Sequence, residues 1–142
     1  MNLLILGGTS FVGRHIVTQA LERGHSVTIA HRGKTNADLF PECDHLHFDR
    51  LGDWPDLGNR TWDAVVDTSA YVPRAISTAA EHLARRADKY LFISTISVYD
   101  SQGQSTLVEH SPVYAELSEA TETIDAQTYG PLKVACERIA TE

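Results

Sequence analysis

The stretch "LLILGGTSFVGRH", Leu3 to His15, constrains the fold of this chain more than any other. Its leading aliphatic run, Asn2–Leu6, reads as a short strand. Gly7 and Gly8 then supply an abrupt turn, and Val12, Ile16 and Ala20 fall at helical spacing within an expected helix Val12–Arg23. A strand that turns through glycines into a helix presents backbone amides at the helix mouth, where the helix dipole favours negative charge. Small residues are needed because the backbone must bend sharply and lie close to its ligand. In that setting the loop reads as the seat of a dinucleotide's pyrophosphate, with Gly13 letting the helix pack tightly against the first strand. The plainer reading is a simple strand-to-helix turn, and the flanking strand and helix weigh against it. Ser10 stands where such a loop usually carries its middle glycine.

Strand and helix signals alternate along the rest of the chain. Gly24 supplies a helix stop. Ser26–Ala30 ("SVTIA") reads as the second strand, His45–Phe48 as a weaker third and Ala64–Asp67 as the fourth. Pro73 opens a helix running to about Arg86, since proline is tolerated in a first helical turn. Tyr90–Ser94 is the fifth strand, followed by a loop containing Gly103 and Pro112 and a helical region ending near Ala140. Such alternation implies parallel pairing with right-handed crossovers. The expected fold is α/β, a doubly wound Rossmann-like parallel sheet of five strands in the order 3-2-1-4-5. A complete two-halved sheet would carry at least a sixth strand.

The 142 residues are read as one domain, 1–142, with no repeat or linker. A net charge of -7 argues against nucleic acid as the main partner, though not against a local basic pocket. Cys43 and Cys136 make no disulfide framework, which suggests a reducing compartment. No run reaches membrane-spanning length, and the N-terminal apolar run lacks a basic lead-in. The chain is expected to be soluble and cytoplasmic, with no membrane partner.

With its loop reading "GGTSFVG", the sequence resembles the extended short-chain dehydrogenase/reductase family, also called the NAD-dependent epimerase/dehydratase family. That loop usually reads G-G-T-G-F-[IV]-G, so Gly7, Gly8, Thr9, Phe11, Val12 and Gly13 match and Ser10 departs. Serine is small enough to keep the close approach, and its hydroxyl could reach a phosphate oxygen. The resemblance implies that all seven residues bind the cofactor. It also places Asp49 and its neighbour Arg50 at the adenine. Asp67 and the following Thr68, Ser69 and Ala70 would run beside the ribose and pyrophosphate.

The end of the second strand selects the nucleotide. Folds that choose NAD tend to place a carboxylate there for the ribose 2′-hydroxyl. This chain reads "AHRGKT", with no carboxylate, and Arg32 and Lys34 offer donors suited to a 2′-phosphate. NADP is the expected cofactor, NAD the less favoured one, and a merely solvated basic turn the bland alternative.

"STISVY" and "YGPLK" carry the rest of the resemblance. Tyr129 and Lys133 stand four residues apart, which places them on one helical face. Free tyrosine titrates near ~10, too high for an efficient base at neutral pH, and an adjacent ammonium favours phenolate. The resemblance makes Tyr129 the catalytic acid/base and Lys133 its neighbour and a ribose ligand. It puts the substrate-binding hydroxyl on Thr95, with Ser94 as the alternative. A chance pair on an amphipathic helix is the rival reading. Pro131 implies a helix that begins or bends there. Dehydratases of the family carry an Asp-Glu pair after the hydroxyl residue; here Ile96 and Ser97 stand there, which argues against dehydration.

Cys43, His45, His47 and Asp49 alternate along the third strand and would share a face. Strand neighbours point in parallel and seldom surround an ion without help from elsewhere, so an exposed edge face is expected and no metal. Arg85 and Arg86 are expected to complement a helix end, and Tyr71 either to line the substrate side or simply to pack.

The reading is an NADP-dependent oxidoreductase or epimerase acting on a hydroxyl or carbonyl of a sugar-like substrate. The family implies a homodimer through about Pro73–Arg86 and Gln127–Ala140. Its polypeptides continue further, whereas this sequence stops nine residues after Lys133. A fragment with little turnover is therefore expected, a naturally minimal protein being the alternative. Two rivals keep the fold without this chemistry: a non-catalytic NADP-sensing regulator, and an RNA-binding relative. The Tyr129–Lys133 pair disfavours the first, the acidic balance the second.

Overall fold

The computed structural model describes residues 1–101, 106–117 and 121–142; Gly103 of the expected loop lies outside them. The chain divides into two compact units, Met1–Ser69 with Thr78–Ile93, and Ala70–Ser77 with Ser94–Glu142.

The first unit holds the whole sheet: β1 (Asn2–Leu6), β2 (Ser26–His31), β3 (Asp44–His47), β4 (Ala64–Asp67) and β5 (Tyr90–Phe92). All neighbours pair in parallel and the order is β3-β2-β1-β4-β5, as the alternating pattern requires. β1 is apolar on both faces because both are covered. Leu4 and Leu6 join Val65, Trp62, Ala79 and Leu83 on one side. Leu3 and Ile5 join Val27, Ile29, Val17 and Ala20 on the other. Burying each such large aliphatic side chain is worth roughly 1.5–3 kcal/mol.

Helix α1 (Phe11–Glu22) lays Val17 and Ala20 on the sheet and stops where the sequence says it must. Gly24 takes φ +73, and the amides of Gly24 and His25 close the helix end on the carbonyls of Leu21 (2.9 Å) and Ala20 (3.0 Å). Helix α2 (Pro73–Leu83) ends three residues short of Arg86. Arg86 is not simply a dipole partner: its Nη1 donates to the carbonyls of Gly58 (2.5 Å) and Arg60 (3.2 Å), which ties the turn after α2 to a loop.

β2 runs one residue further than expected and takes in His31. β3 starts at Asp44 and stops at His47, and β5 stops at Phe92, because Ser94 and Thr95 leave the sheet for a 3-10 turn (Ile96–Val98).

In the second unit, helix α3 spans Tyr129–Thr141. Pro131 is its third residue, so it removes no interior hydrogen bond and the helix begins there rather than bending. Tyr129 and Lys133 therefore share one continuous helix. No described helix is long and apolar enough to cross a membrane.

Candidate functional site

The glycine loop of the first unit is shaped by what surrounds it. Gly7 has φ +94, and a Cβ there would lie 2.8 Å from both the Thr68 hydroxyl oxygen and the Ser69 Cβ. A Cβ on Gly8 would lie 2.8 Å from an Ile29 methyl, and one on Gly13 would overlap the Gly7 carbonyl oxygen. The turn closes on the sheet: the Thr68 hydroxyl donates to the Leu6 and Gly7 carbonyls, both at 3.0 Å. Thr9 is buried, and its carbonyl accepts from Asn36 Nδ2 at 3.0 Å.

Ser10 is the cap residue of α1 in an extended conformation, exposed, and its hydroxyl does not cap the helix. The first-turn amides of α1 therefore receive nothing from that side chain, and the helix has no acidic residue in its first turn. An anion is the ligand such a mouth suits. Phe11 follows with φ +41 and its ring 85% exposed, a strained setting for a bulky residue, while Val12 is also exposed. Arg32 and Lys34, just past β2, are exposed and form no ion pair among the described residues.

Asp67 and Arg50, which the resemblance sets beside the coenzyme, are paired with each other. Asp67 is completely buried at the end of β4, where its carboxylate takes a two-pronged ion pair from Arg50 Nη1 (2.5 Å) and Nη2 (2.7 Å). Its oxygens also accept from the Tyr90 hydroxyl and, at 3.0 Å, from the Ser69 amide. Arg50 Nη1 reaches the Ser69 hydroxyl as well (3.1 Å). Burial alone would lower the Arg50 pKa, but the hydrogen bond and charge of Asp67, with Tyr90, carry it above its ordinary value. Burial, followed by the Asp67 charge, pushes the Tyr90 phenol well up. Tyr90 went unnoticed in the sequence, and its signal was Asp67 itself: a carboxylate ending an apolar strand must find donors. Asp49 is exposed and turns its carboxylate to the Leu51 amide at 3.1 Å.

A second feature of this unit lies where β2 and β3 end, around His45 and His47 of the alternating third strand. His31, the last residue of β2, faces His47 across the register. Its Nε2 lies 2.8 Å from His45 Nδ1 and 3.0 Å from His47 Nε2. Burial, then the neighbouring His47 and His45, holds its pKa below the usual imidazole value. Of the other residues alternating with these, Cys43 packs against the core, where burial and then Glu42 raise its thiol's pKa.

In the second unit, Lys133 is buried, and its Nζ donates to the Ala70 carbonyl at 3.0 Å. The same ammonium lies 5.8 Å from the centre of the Tyr71 ring, and that ring lies 6.3 Å from the Tyr129 ring. Tyr71 is thus a neighbour of the expected catalytic pair and still 45% exposed. Thr95 caps the 3-10 turn, its hydroxyl accepting from the Ser97 amide at 3.2 Å. The Ser94 hydroxyl is buried without a hydrogen-bond partner among the described residues. A Cβ on Gly130 would overlap the Ser97 carbonyl oxygen, so the first turn of α3 rests directly on the turn that follows Thr95. This unit therefore holds a phenol and a buried ammonium around the Tyr71 ring, on a helix whose first turn touches the turn after Thr95.

Residues 3–142 match the family model described as "NAD dependent epimerase/dehydratase family". Among solved structures, a UDP-galactose 4-epimerase aligns at 19% identity and a TM-score of 0.74, covering 98% of this chain and 50% of the other. The UDP-Glc/GlcNAc 4-epimerase of Campylobacter jejuni aligns at 18% identity and a TM-score of 0.75, covering 97% and 47%. A UDP-glucose 4-epimerase from Bifidobacterium longum, solved in complex with NAD+ and UDP, gives 14% and 0.76, covering 99% and 48%. The chain spans about half the length of these structures, and comparison with curated proteins gives no match. The family match over nearly every residue, on the fold expected for it, places this chain in the NAD-dependent epimerase/dehydratase family.

Proposed function

We propose that this chain is the coenzyme-binding part of an oxidoreductase or epimerase acting on a hydroxyl or carbonyl of a nucleotide sugar, with NADP as coenzyme. The observation that carries the reading is the buried Lys133, fixed on the Ala70 carbonyl one helical turn from Tyr129. A buried ammonium needs a reason, and supporting a phenol that gives and takes protons is one. Gly7, Gly8, Thr9, Ser10, Phe11, Val12 and Gly13 hold the diphosphate, the amides of α1 facing it and the Ser10 hydroxyl adding a donor. Thr68, Ser69 and Ala70 line the coenzyme, and Lys133 also serves its ribose. A bound nicotinamide supplies the hydride acceptor or donor. Tyr129 takes the proton from the substrate hydroxyl as its carbon is oxidised and returns it on reduction. Thr95 donates a hydrogen bond to the same oxygen and keeps it aligned.

Arg32 and Lys34 favour a 2′-phosphate because both are charged, exposed and free of carboxylate partners among the described residues. NAD is the second reading, supported by solved relatives whose complexes hold it. Calorimetric titration of the chain with NADPH and NADH separates the two. Arg32→Ala should weaken NADPH about tenfold or more, the scale of one charged hydrogen bond, and leave NADH nearly unchanged. Equal losses for both would refute the NADP assignment. In an assay of the protein on UDP-galactose, Tyr129→Phe should keep coenzyme affinity and lose turnover about a hundredfold or more. Unchanged turnover would remove Tyr129 from its role.

A further inference from the structure

The three histidines where β2 and β3 end are poorly explained as ordinary packing. His31, His45 and His47 each offer one ring nitrogen, and these nitrogens all lie within 4.8 Å of one another. The backbone fixes what each nitrogen does. His45 Nε2 lies 3.0 Å from the Phe40 carbonyl, which can only accept, so Nε2 holds the proton and Nδ1 presents a lone pair. The Gly33 amide donates to His31 Nδ1 at 3.2 Å, so in the free chain His31 carries its proton on Nε2. That single proton faces two acceptors, His45 Nδ1 at 2.8 Å and His47 Nε2 at 3.0 Å. The cluster has more lone pairs than protons to fill them.

We infer that this cluster is a transition-metal site: a zinc-like divalent cation bound by His31 Nε2, His45 Nδ1 and His47 Nε2, with solvent at an open fourth position. Imidazole nitrogens about 2.0–2.1 Å from tetrahedral zinc lie roughly 3.3 Å apart, so the pairs at 2.8 and 3.0 Å open slightly, and the His45 and His47 nitrogens, within 4.8 Å of each other, close toward the ion. The Phe40 carbonyl orients His45 as outer partners of metal-bound histidines do. Binding moves the His31 proton from Nε2 to Nδ1 and gives up the Gly33 hydrogen bond. Gly33 can allow this, being exposed with nothing within 4 Å of where a Cβ would stand. The objection from sequence, that strand neighbours do not converge, is met because His31 comes from the adjoining strand. The site does not depend on the coenzyme reading.

Titrating the metal-free chain with zinc chloride in the calorimeter, without nucleotide, tests this. One zinc per chain is expected, with a rise in melting temperature. Cobalt(II) in its place should give the intense visible bands of a tetrahedral ion. His47→Ala, at an exposed position and checked for an unchanged fold by circular dichroism, should weaken zinc at least about tenfold. His110→Ala, which removes a histidine of the second unit, should bind zinc as the parent chain does. No zinc binding by the parent chain, or parent-like affinity in both His47→Ala and His45→Ala, would overturn the assignment. Loss of NADPH selectivity in Arg32→Ala with zinc binding intact would leave it standing.

Discussion

Removing Arg50 would leave a carboxylate inside the protein with too few donors to hold it. Asp67 is completely shielded from solvent, and among the described residues only the Ser69 amide and the Tyr90 hydroxyl would remain as donors to its carboxylate. Breaking a buried pair from one side costs about 3–5 kcal/mol. Arg50→Ala should therefore lower the unfolding free energy measured in urea by about that amount, seen as an earlier midpoint at an unchanged slope. Adding Asp67→Asn should restore part of it, which separates the buried charge from lost packing. This pair was only half legible in the sequence. Asp67 stood out at the end of "AVVD", but its partners lie 17 and 23 residues away in the chain. What brings them together is the order of the strands, not any local pattern, and the resemblance had assigned both residues to the coenzyme. The glycines were legible for the opposite reason: their constraint is local, a turn that leaves no room for a Cβ.

Among the elements, the strands and helices were readable in number, kind and order, and the errors gather at their ends. Periodicity marks the middle of an element, while capping contacts decide where it stops. Helix α3 shows this. The sequence reading began it at about Gln127, whereas Asp125 gathers the amides of Gln127 (2.8 Å) and Thr128 (2.9 Å) and the helix starts at Tyr129. The Thr128 and Gln127 amides hold the Asp125 carboxyl below its ordinary pKa. A depressed carboxylate pKa means that its contribution is complete above the unfolded value, near ~3.9, and fades as pH falls through the folded one. The first turn of α3, which carries Tyr129, should therefore fray on acidification below about pH 4. Amide exchange at Tyr129 and Gly130, followed by NMR, should accelerate there. Asp125→Ala should show the same acceleration already at neutral pH, and an unchanged rate would refute the cap's role.

For the whole molecule, the alternating strands and helices were enough to give the sheet order, because right-handed crossovers leave few ways to connect parallel strands. Which side chains meet at the carboxyl ends of those strands was not, and His31 shows the gap: its cluster exists only once β2 and β3 are in register. The strained loop residue also has a consequence at this scale. Phe11 holds φ +41 with its ring almost entirely in solvent, so the fold gains little from the ring and loses something by the backbone angle. Such strain costs about 1–2 kcal/mol and concentrates where ligands are gripped. Phe11→Gly should then melt at a higher temperature while capturing NADPH less tightly, both measurable on one preparation. A variant both sturdier and less able would mark this position as a trade between endurance and purpose.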